Sequence, residues 1–199
     1  MNRPLIGVLA LQGDVREHRA AFERCGCPTI SVRLPEELDR IDALALPGGE
    51  STTISRLLRV FAMEEPLRRR LERGLPTFST CAGMIVLGKE ILDGRPDQLA
   101  LGALDVSLRR NGYGRQVESF EADIDIPDVG PPHFRGVFIR APRVLSVGDG
   151  ARVIARLGDD PVALVQGPHL ALAFHPELSG DDRLHHLYVE RVLSGSLAA

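Results

Sequence analysis

At 199 residues, 44% hydrophobic and 26% charged, the chain is long enough to bury one substantial core without a disulfide or a metal to hold it. A formal charge of −3 and the lack of a basic stripe argue against a nucleic-acid partner, and no apolar run approaches the length of a membrane span. Only seven residues separate Pro4 from Gln12, too few for a signal-peptide core, and three cysteines fit a reducing compartment. The expectation is a cytoplasmic protein with one domain over residues 1–199.

The first element is "LIGVLAL", residues 5–11, a continuous apolar run of strand length that fits a strand buried on both faces. After "QGD" comes a helix over "VREHRAAFERCGC". Asp14 with Glu17 has the spacing of a capping box, Val15, Phe22 and Cys25 fall near one face, and Gly26 ends it. "TISVRL" (29–34) reads as a second strand and "PEELDRI" as a short helix. "ALALPGGES" (43–51) is a third strand running into a glycine turn. "TTISRLLRVFAMEEPLRRRLERG" is one helix or two, with Pro66 at the break or at a fresh N-terminus. "PTFST" is a fourth strand and "AGMIVLGKEI" its helix. Such alternation implies right-handed crossovers around a mainly parallel sheet.

Beyond residue 100 the rhythm changes. "FEADIDI", "FRGVFIRAP", "ARVIARL", "PVALVQG" and "HLALAFHPE" are short strand-like runs separated by Gly, Pro and Asp, which predicts an antiparallel or mixed section. In "DDRLHHLYVERVLSG", Leu184, Leu187, Tyr188 and Val192 have helical spacing and should pack back onto the sheet.

Cys81 sits where the strand "PTFST" gives way to a helix. Sites in open α/β sheets form at the carboxyl ends of strands, and a strand–turn–helix elbow exposes a nucleophile there. The helix N-terminus favours a thiolate and offers backbone N–H groups to an oxyanion. A lone cysteine at a strand end is equally a small buried hydrophobe. A nucleophile needs a base, and the base an orienting group. Among six histidines, His18, His185 and His186 fall in helices, where a solvated or packed role is expected, and His133 and His169 in Pro-flanked loops. His175 differs: it ends an apolar strand, with Glu177 two residues on and Pro176 favouring an extended backbone that would turn both side chains the same way. The same pair also reads as a surface histidine beside an unrelated acid. In "LPGGES", two glycines free backbone N–H groups to approach a ligand, and Ser51 could cap the next helix, though a tight turn has the same pattern. No phosphate-loop fingerprint occurs.

All three features follow predicted strands, and the constellation resembles the class I (triad-type) glutamine amidotransferases. The segments "GVLALQGDVREH", "LPGGESTT", "TCAGMIVLGKEI", "RRNGYGRQVESFEAD", "GVFIRAP" and "FHPEL" resemble, in order and over nearly the whole chain, the glutaminase subunit of pyridoxal 5′-phosphate synthase. "GRQVESFEAD" and "GVFIRAP" separate that family from amidotransferases serving other pathways, such as imidazole-glycerol-phosphate synthesis. A non-catalytic relative would have lost Cys81, His175 or Glu177, and all three are present. A cysteine hydrolase acting on peptides on a related fold is the remaining alternative.

The resemblance implies a three-layer α/β fold of the class I glutamine amidotransferase type, a mixed and mainly parallel sheet with helices on both faces. It implies Cys81 as nucleophile, His175 as base and Glu177 as its orienting acid. Glutamine binding maps to Gly49, Glu50, Ser51, Arg110, Ile139 and Arg140, with Ile139 contributing backbone. From the sequence alone, Arg110 is one of 24 basic residues. Backbone N–H groups of Gly49 and Ala82 are the implied oxyanion donors, and Gln12 resembles a loop element that responds to substrate and partner. No cofactor and no metal are implied. The implied partner is a (β/α)8-barrel synthase subunit in a large ring that receives the ammonia. Ser79 and the pair Gly112-Tyr113 depart from residues common in the family. Ser79 fits unless its position demands positive φ. Cys25 and Cys27 make a poor metal site without a nearby His and read as a packed helix end.

Overall fold

A computed structural model describes residues 3–112 and 119–194, with side chains from 192 onward excepted. Residues 113–118, which are Tyr113 and the first five residues of "GRQVESFEAD", lie outside the described residues. In chain order the elements are β1 (Ile6–Leu9), α1 (Val15–Arg24), β2 (Thr29–Val32), β3 (Ala43–Leu46), α2 (Ser51–Val60), α3 (Glu64–Glu72), β4 (Thr77–Thr80) and α4 (Ala82–Leu87). There follow β5 (Gly88–Ile91), β6 (Leu104–Arg109), β7 (Ser119–Ile124), β8 (Phe134–Ile139), β9 (Arg143–Val147), β10 (Arg152–Leu157), β11 (Asp160–Gln166), β12 (His169–Leu172) and α5 (Arg183–Ser194). "PEELDR" forms a 3-10 turn.

The main sheet has the order β10-β11-β12-β4-β3-β1-β2. From β12 to β2 every pairing is parallel, and β10 and β11 add antiparallel strands at one edge. This is the mixed, mainly parallel α/β sheet, with helices on both faces, that the family resemblance implies. The residues explain the layout: β1, β3 and β4 are apolar or small throughout, as is β12 after His169, and all four are buried at every position, as strands covered on both faces must be. In β6 and β8, inward and outward residues alternate, and these strands belong to the small sheets β5-β6-β9 and β7-β8. Helices α1 and α5 pack together, and Phe22 and Tyr188 meet Phe78 of β4 edge-on at 5.5 and 5.3 Å between ring centroids.

Several expectations need correction. "GKEI" does not continue the helix: α4 stops after six residues and Gly88 opens β5 with extended dihedrals. A Cβ at Gly88 would lie 2.7 Å from Leu108 Cδ1, so glycine lets β5 run close beside β6. Strands β6 and β9 carry Arg and Ser among their apolar residues, and no strand was expected there. His169 begins β12 and does not lie in a loop. The segment after Thr52 is two helices, broken at Ala62 with φ 52°, and Pro66 sits in the first turn of α3, where its missing N–H forfeits no bond. Gly26 ends α1 as expected: the N–H of Gly26 donates to the carbonyl of Glu23 and that of Cys27 to Phe22. Cys25 and Cys27 are buried free thiols, and burial pushes Cys25 up to about 12.

His18, His169 and His185 are buried, and burial lowers the pKa of each, His169 to about 4. Unfolded, they take up protons near pH 6.5 that the folded chain refuses, so stability falls as pH drops below that value. The slope is at most about 1.4 kcal/mol per pH unit for each histidine. His175 is shifted upward, so it is protonated in both states below pH 6.5 and contributes nothing to this window. Denaturant unfolding at pH 7 and pH 5 is expected to give a clearly lower free energy at pH 5. His169→Gln, which keeps a polar group for Thr77 Oγ1 but does not titrate, should shrink that difference.

Candidate active site

Because β1, β3, β4 and β12 run parallel, their carboxyl ends share one edge of the sheet. Gln12 and Asp14 follow β1, Gly48 to Ser51 follow β3, Cys81 follows β4 and His175 follows β12. They converge on a cavity of about 240 Å³, closed on its far side by Arg110, Asn111, Ile139 and Arg140.

Cys81 is held at φ 47°, ψ −104°, between the last residue of β4 and the first of α4. A residue with a Cβ avoids such a backbone, and holding it there costs about 1–3 kcal/mol. The elbow is anchored by its own main chain, whose N–H donates to the Leu172 carbonyl at 2.8 Å and whose carbonyl accepts from Ile85 at 3.2 Å. Gly83 permits the turn: a Cβ there would lie 2.2 Å from the Leu46 carbonyl oxygen. The thiol points to the Ile139 carbonyl, 3.7 Å away, and lines the cavity together with His175. Four described residues other than glycine have positive φ, and three of them, Cys81, Asn111 and Arg140, line this cavity.

His175 is 3% exposed, and its Nδ1 is 2.8 Å from Glu177 Oε1. The contact is not made along an extended strand as expected. Residues Pro176 to Leu178 form a 3-10 turn that folds the carboxylate back onto the ring. Burial pulls the His175 pKa down, but hydrogen bonds to Asp14, Cys81 and Glu177, with the charge of Glu177, outweigh it and raise the value well above normal. Behind Glu177, the buried ring of His18 places Nε2 3.1 Å from Thr80 Oγ1 and 3.5 Å from Glu177 Oε2. Burial lowers the His18 pKa against the opposing charge of Glu177, so His18 is neutral at pH 7.

Glu50 and Arg110 form an ion pair of 2.7 Å across the mouth, with Arg140 3.9 Å from the other Glu50 oxygen. Gly49 has φ 146°, and a Cβ on it would strike the Gln12 carboxamide at 2.4 Å. Gln12 Oε1 accepts from the N–H of Glu50 at 2.8 Å, tying the loop after β1 to the loop after β3. Ser51 does not cap α2, where Glu50 holds the N-cap position; its hydroxyl donates to Gln98 Oε1 at 3.1 Å. Ser79 lies within β4 and has no positive φ, so its Cβ is accommodated. Gly112 has a steric reason: a Cβ would sit 2.1 Å from Arg143 Cβ. Gly112→Ser is expected to displace the Arg110 loop, at about 1–3 kcal/mol of stability. Thermal melts and the KM for glutamine should both worsen, and an unchanged KM would show that the loop absorbs the side chain.

Asp14, His175 and Glu177 bring three potential metal donors within 4.8 Å. The ring nitrogen they share carries a proton that both carboxylates hold in place, and a metal would have to displace it. The donor set suits proton transfer better than coordination.

The sequence model of the SNO glutamine amidotransferase family matches residues 8–194. The chain belongs to this family. It is 57% identical over 194 residues to the pyridoxal 5′-phosphate synthase subunit PdxT of Parafrankia sp. (strain EAN1pec), covering 98% of this chain and 96% of that one. It is also 57% identical over 193 residues to the same subunit of Mycobacteroides abscessus, covering 96% and 99%. Among solved structures, a glutamine amidotransferase superposes with a TM-score of 0.88 at 51% identity, covering 94% of this chain and 98% of that one. A putative GMP synthase subunit from Thermoplasma acidophilum, with a TM-score of 0.70 at 15% identity and coverage of 98% and 96%, shares the fold. Membership makes the protein a glutamine amidotransferase, the glutamine-hydrolysing subunit of a pyridoxal 5′-phosphate synthase.

Against the family-derived site residues, the cavity gathers Gly49, Glu50, Ser51, Cys81, Arg110, Ile139, Arg140 and His175; Glu177 stands behind His175, and Ala82 opens α4 next to Cys81. Asp14, Asn111 and His18 were not singled out for the site, and Gly48 was read only as one of the two glycines of the loop. Asp14 and His18, four residues apart, lie on one face of α1, and that spacing was the available signal.

Proposed function

We propose that Cys81, His175 and Glu177 form the catalytic triad of this glutaminase, and that residues 1–199 act as one cytoplasmic domain. The observation that supports it is the strained Cys81 elbow facing a buried His175 whose Nδ1 is 2.8 Å from a carboxylate. The zwitterionic end of glutamine enters between Arg110 and Glu50, guanidinium to carboxylate and carboxylate to ammonium, with Arg140 beside them. The loop backbone at Gly49, Ser51 and Ile139 frames the side chain.

His175, its pKa raised by the carboxylates around it, holds the proton of the Cys81 thiol, and the thiolate attacks the side-chain amide carbon. The oxyanion is received by the N–H groups of Gly49 and Ala82, each such donor being worth about 3 kcal/mol. His175 passes its proton to the amide nitrogen, the C–N bond breaks and ammonia leaves, with a γ-glutamyl thioester on Cys81. His175 then takes a proton from water. The resulting hydroxide adds to the thioester, and collapse releases glutamate and restores the thiolate. Glu177 fixes the ring tautomer and supports its cationic form.

Free ammonia is largely protonated near neutral pH and is then no nucleophile, so it passes directly through protein to a (β/α)8-barrel synthase subunit in a ring-shaped assembly. The relatives named as subunits of pyridoxal 5′-phosphate synthase support such a partner. The test is glutamate release from L-glutamine with and without the synthase subunit. Partner-dependent release is expected, and none even with the partner would overturn the reading.

A further inference from the structure

Helix α1 begins on an unused cap. Asp14 holds the N-cap position with Glu17 three residues on, yet its side chain caps no backbone N–H, and Glu17 pairs with Arg16. An aspartate there normally stabilises the helix by accepting from a backbone N–H of the first turn. The carboxylate lies instead on the cavity wall, with Oδ2 3.2 Å from His175 Nδ1. Glu177 Oε1 is 2.8 Å from the same nitrogen. A single N–H therefore faces two carboxylates, one with a fully buried side chain and the other 34% exposed.

We propose that Asp14 is a second positioning carboxylate for His175, sharing the Nδ1 proton with Glu177 and able to hold the same tautomer when Glu177 is removed. This rests on the triad reading above. The groups facing His175 are Asp14 and His18 from α1, Cys81 from the elbow and Glu177 from the turn after β12. His18 is neutral, so the anions decide the balance. The hydrogen bond to His175 comes first among the causes that hold the Asp14 carboxyl below its usual range, ahead of the opposing effect of burial. The two acids are unequal in setting. Glu177 is wholly buried and its Oε2 has no hydrogen-bond partner among the described residues, so its only hydrogen bond aims it at the ring. Asp14 keeps contact with water and with the substrate space, so its charge is carried at little desolvation cost. Shared between them, the imidazolium is held by one directional contact and one that solvent can reach.

The test compares glutamate release, with the synthase subunit present, for Asp14→Asn, Glu177→Gln and the double variant. If either acid can orient the ring, the double variant loses at least about tenfold more than the product of the two single losses. Asp14→Asn removes one anion from the imidazolium, so the basic limb of the kcat/KM profile moves to lower pH, while Asp14→Glu leaves it in place. Losses that simply multiply, or a basic limb that does not move, would overturn the proposal. Cys81→Ala run in the same assay separates the two readings. Release surviving there undoes the triad itself, whereas its loss together with multiplying effects at Asp14 and Glu177 undoes only the role of Asp14.

Discussion

Cys81→Ala is expected to abolish glutamate release in the presence of the synthase subunit, by about 10⁴-fold or more, because no neighbouring group replaces the lost nucleophile. Members of a triad act as a unit, so His175→Ala in the same background should add almost nothing. The elbow makes a second comparison available. Alanine at position 81 keeps the Cβ that φ 47° disfavours, and glycine removes it. Cys81→Gly, equally inactive, should therefore be more stable than Cys81→Ala by about 1 kcal/mol in denaturant unfolding. The opposite order would mean that the elbow stores no strain.

Gly48→Ala is expected to lower kcat by about 10²-fold while leaving the chain folded. The added Cβ would lie 2.2 Å from His175 Cε1 and 2.8 Å from Nδ1. The ring cannot yield cheaply, since Glu177 and Asp14 hold Nδ1 and the main-chain N–H of His175 donates to the Val137 carbonyl at 2.8 Å. If the ring moves, it leaves the thiol. If the loop moves, it carries the Gly49 N–H away from the oxyanion. Both routes act on the transition state, so kcat should fall more than KM rises. A kcat within about twofold of wild type would mean that the His175 ring is not confined as described.

The first half of the fold was legible because its strands are covered on both faces, and the resulting apolar runs at β1, β3 and β4 admit few readings. The smaller sheets were less so. β6 and β9 face solvent on one side, where Ser107, Arg109 and Ser146 interrupt the pattern, and "GKEI" has no feature that separates a strand from the tail of a helix. Cys81 and His175 were legible from their places at strand ends. Asp14 was not, because Asp-x-x-Glu before a helix is a sound capping signature, and only the meeting of the segment after β12 with the loop after β1, with two strands between them in the sheet, reveals a competing partner for its carboxylate. His18 was taken for an ordinary helix residue, since its contact with Thr80 spans 62 positions that no local pattern connects. Gly112 stood out as a departure, and its reason lies in Arg143, on a strand that had not been expected.

Cys81 and His175 descend from adjacent strands, β4 and β12, whose ladder pairs Thr80 with Leu172 and continues into the bond from the Cys81 N–H to the Leu172 carbonyl. Their separation is thus inherited from the interstrand pitch of about 4.8 Å, a property of every sheet and not of the loops around it. Drift in the loops can retune what enters the cavity and how the proton is held. The distance across which thiol and imidazole exchange that proton is insulated from such drift, and only a slip in register between two of the most deeply buried strands would alter it.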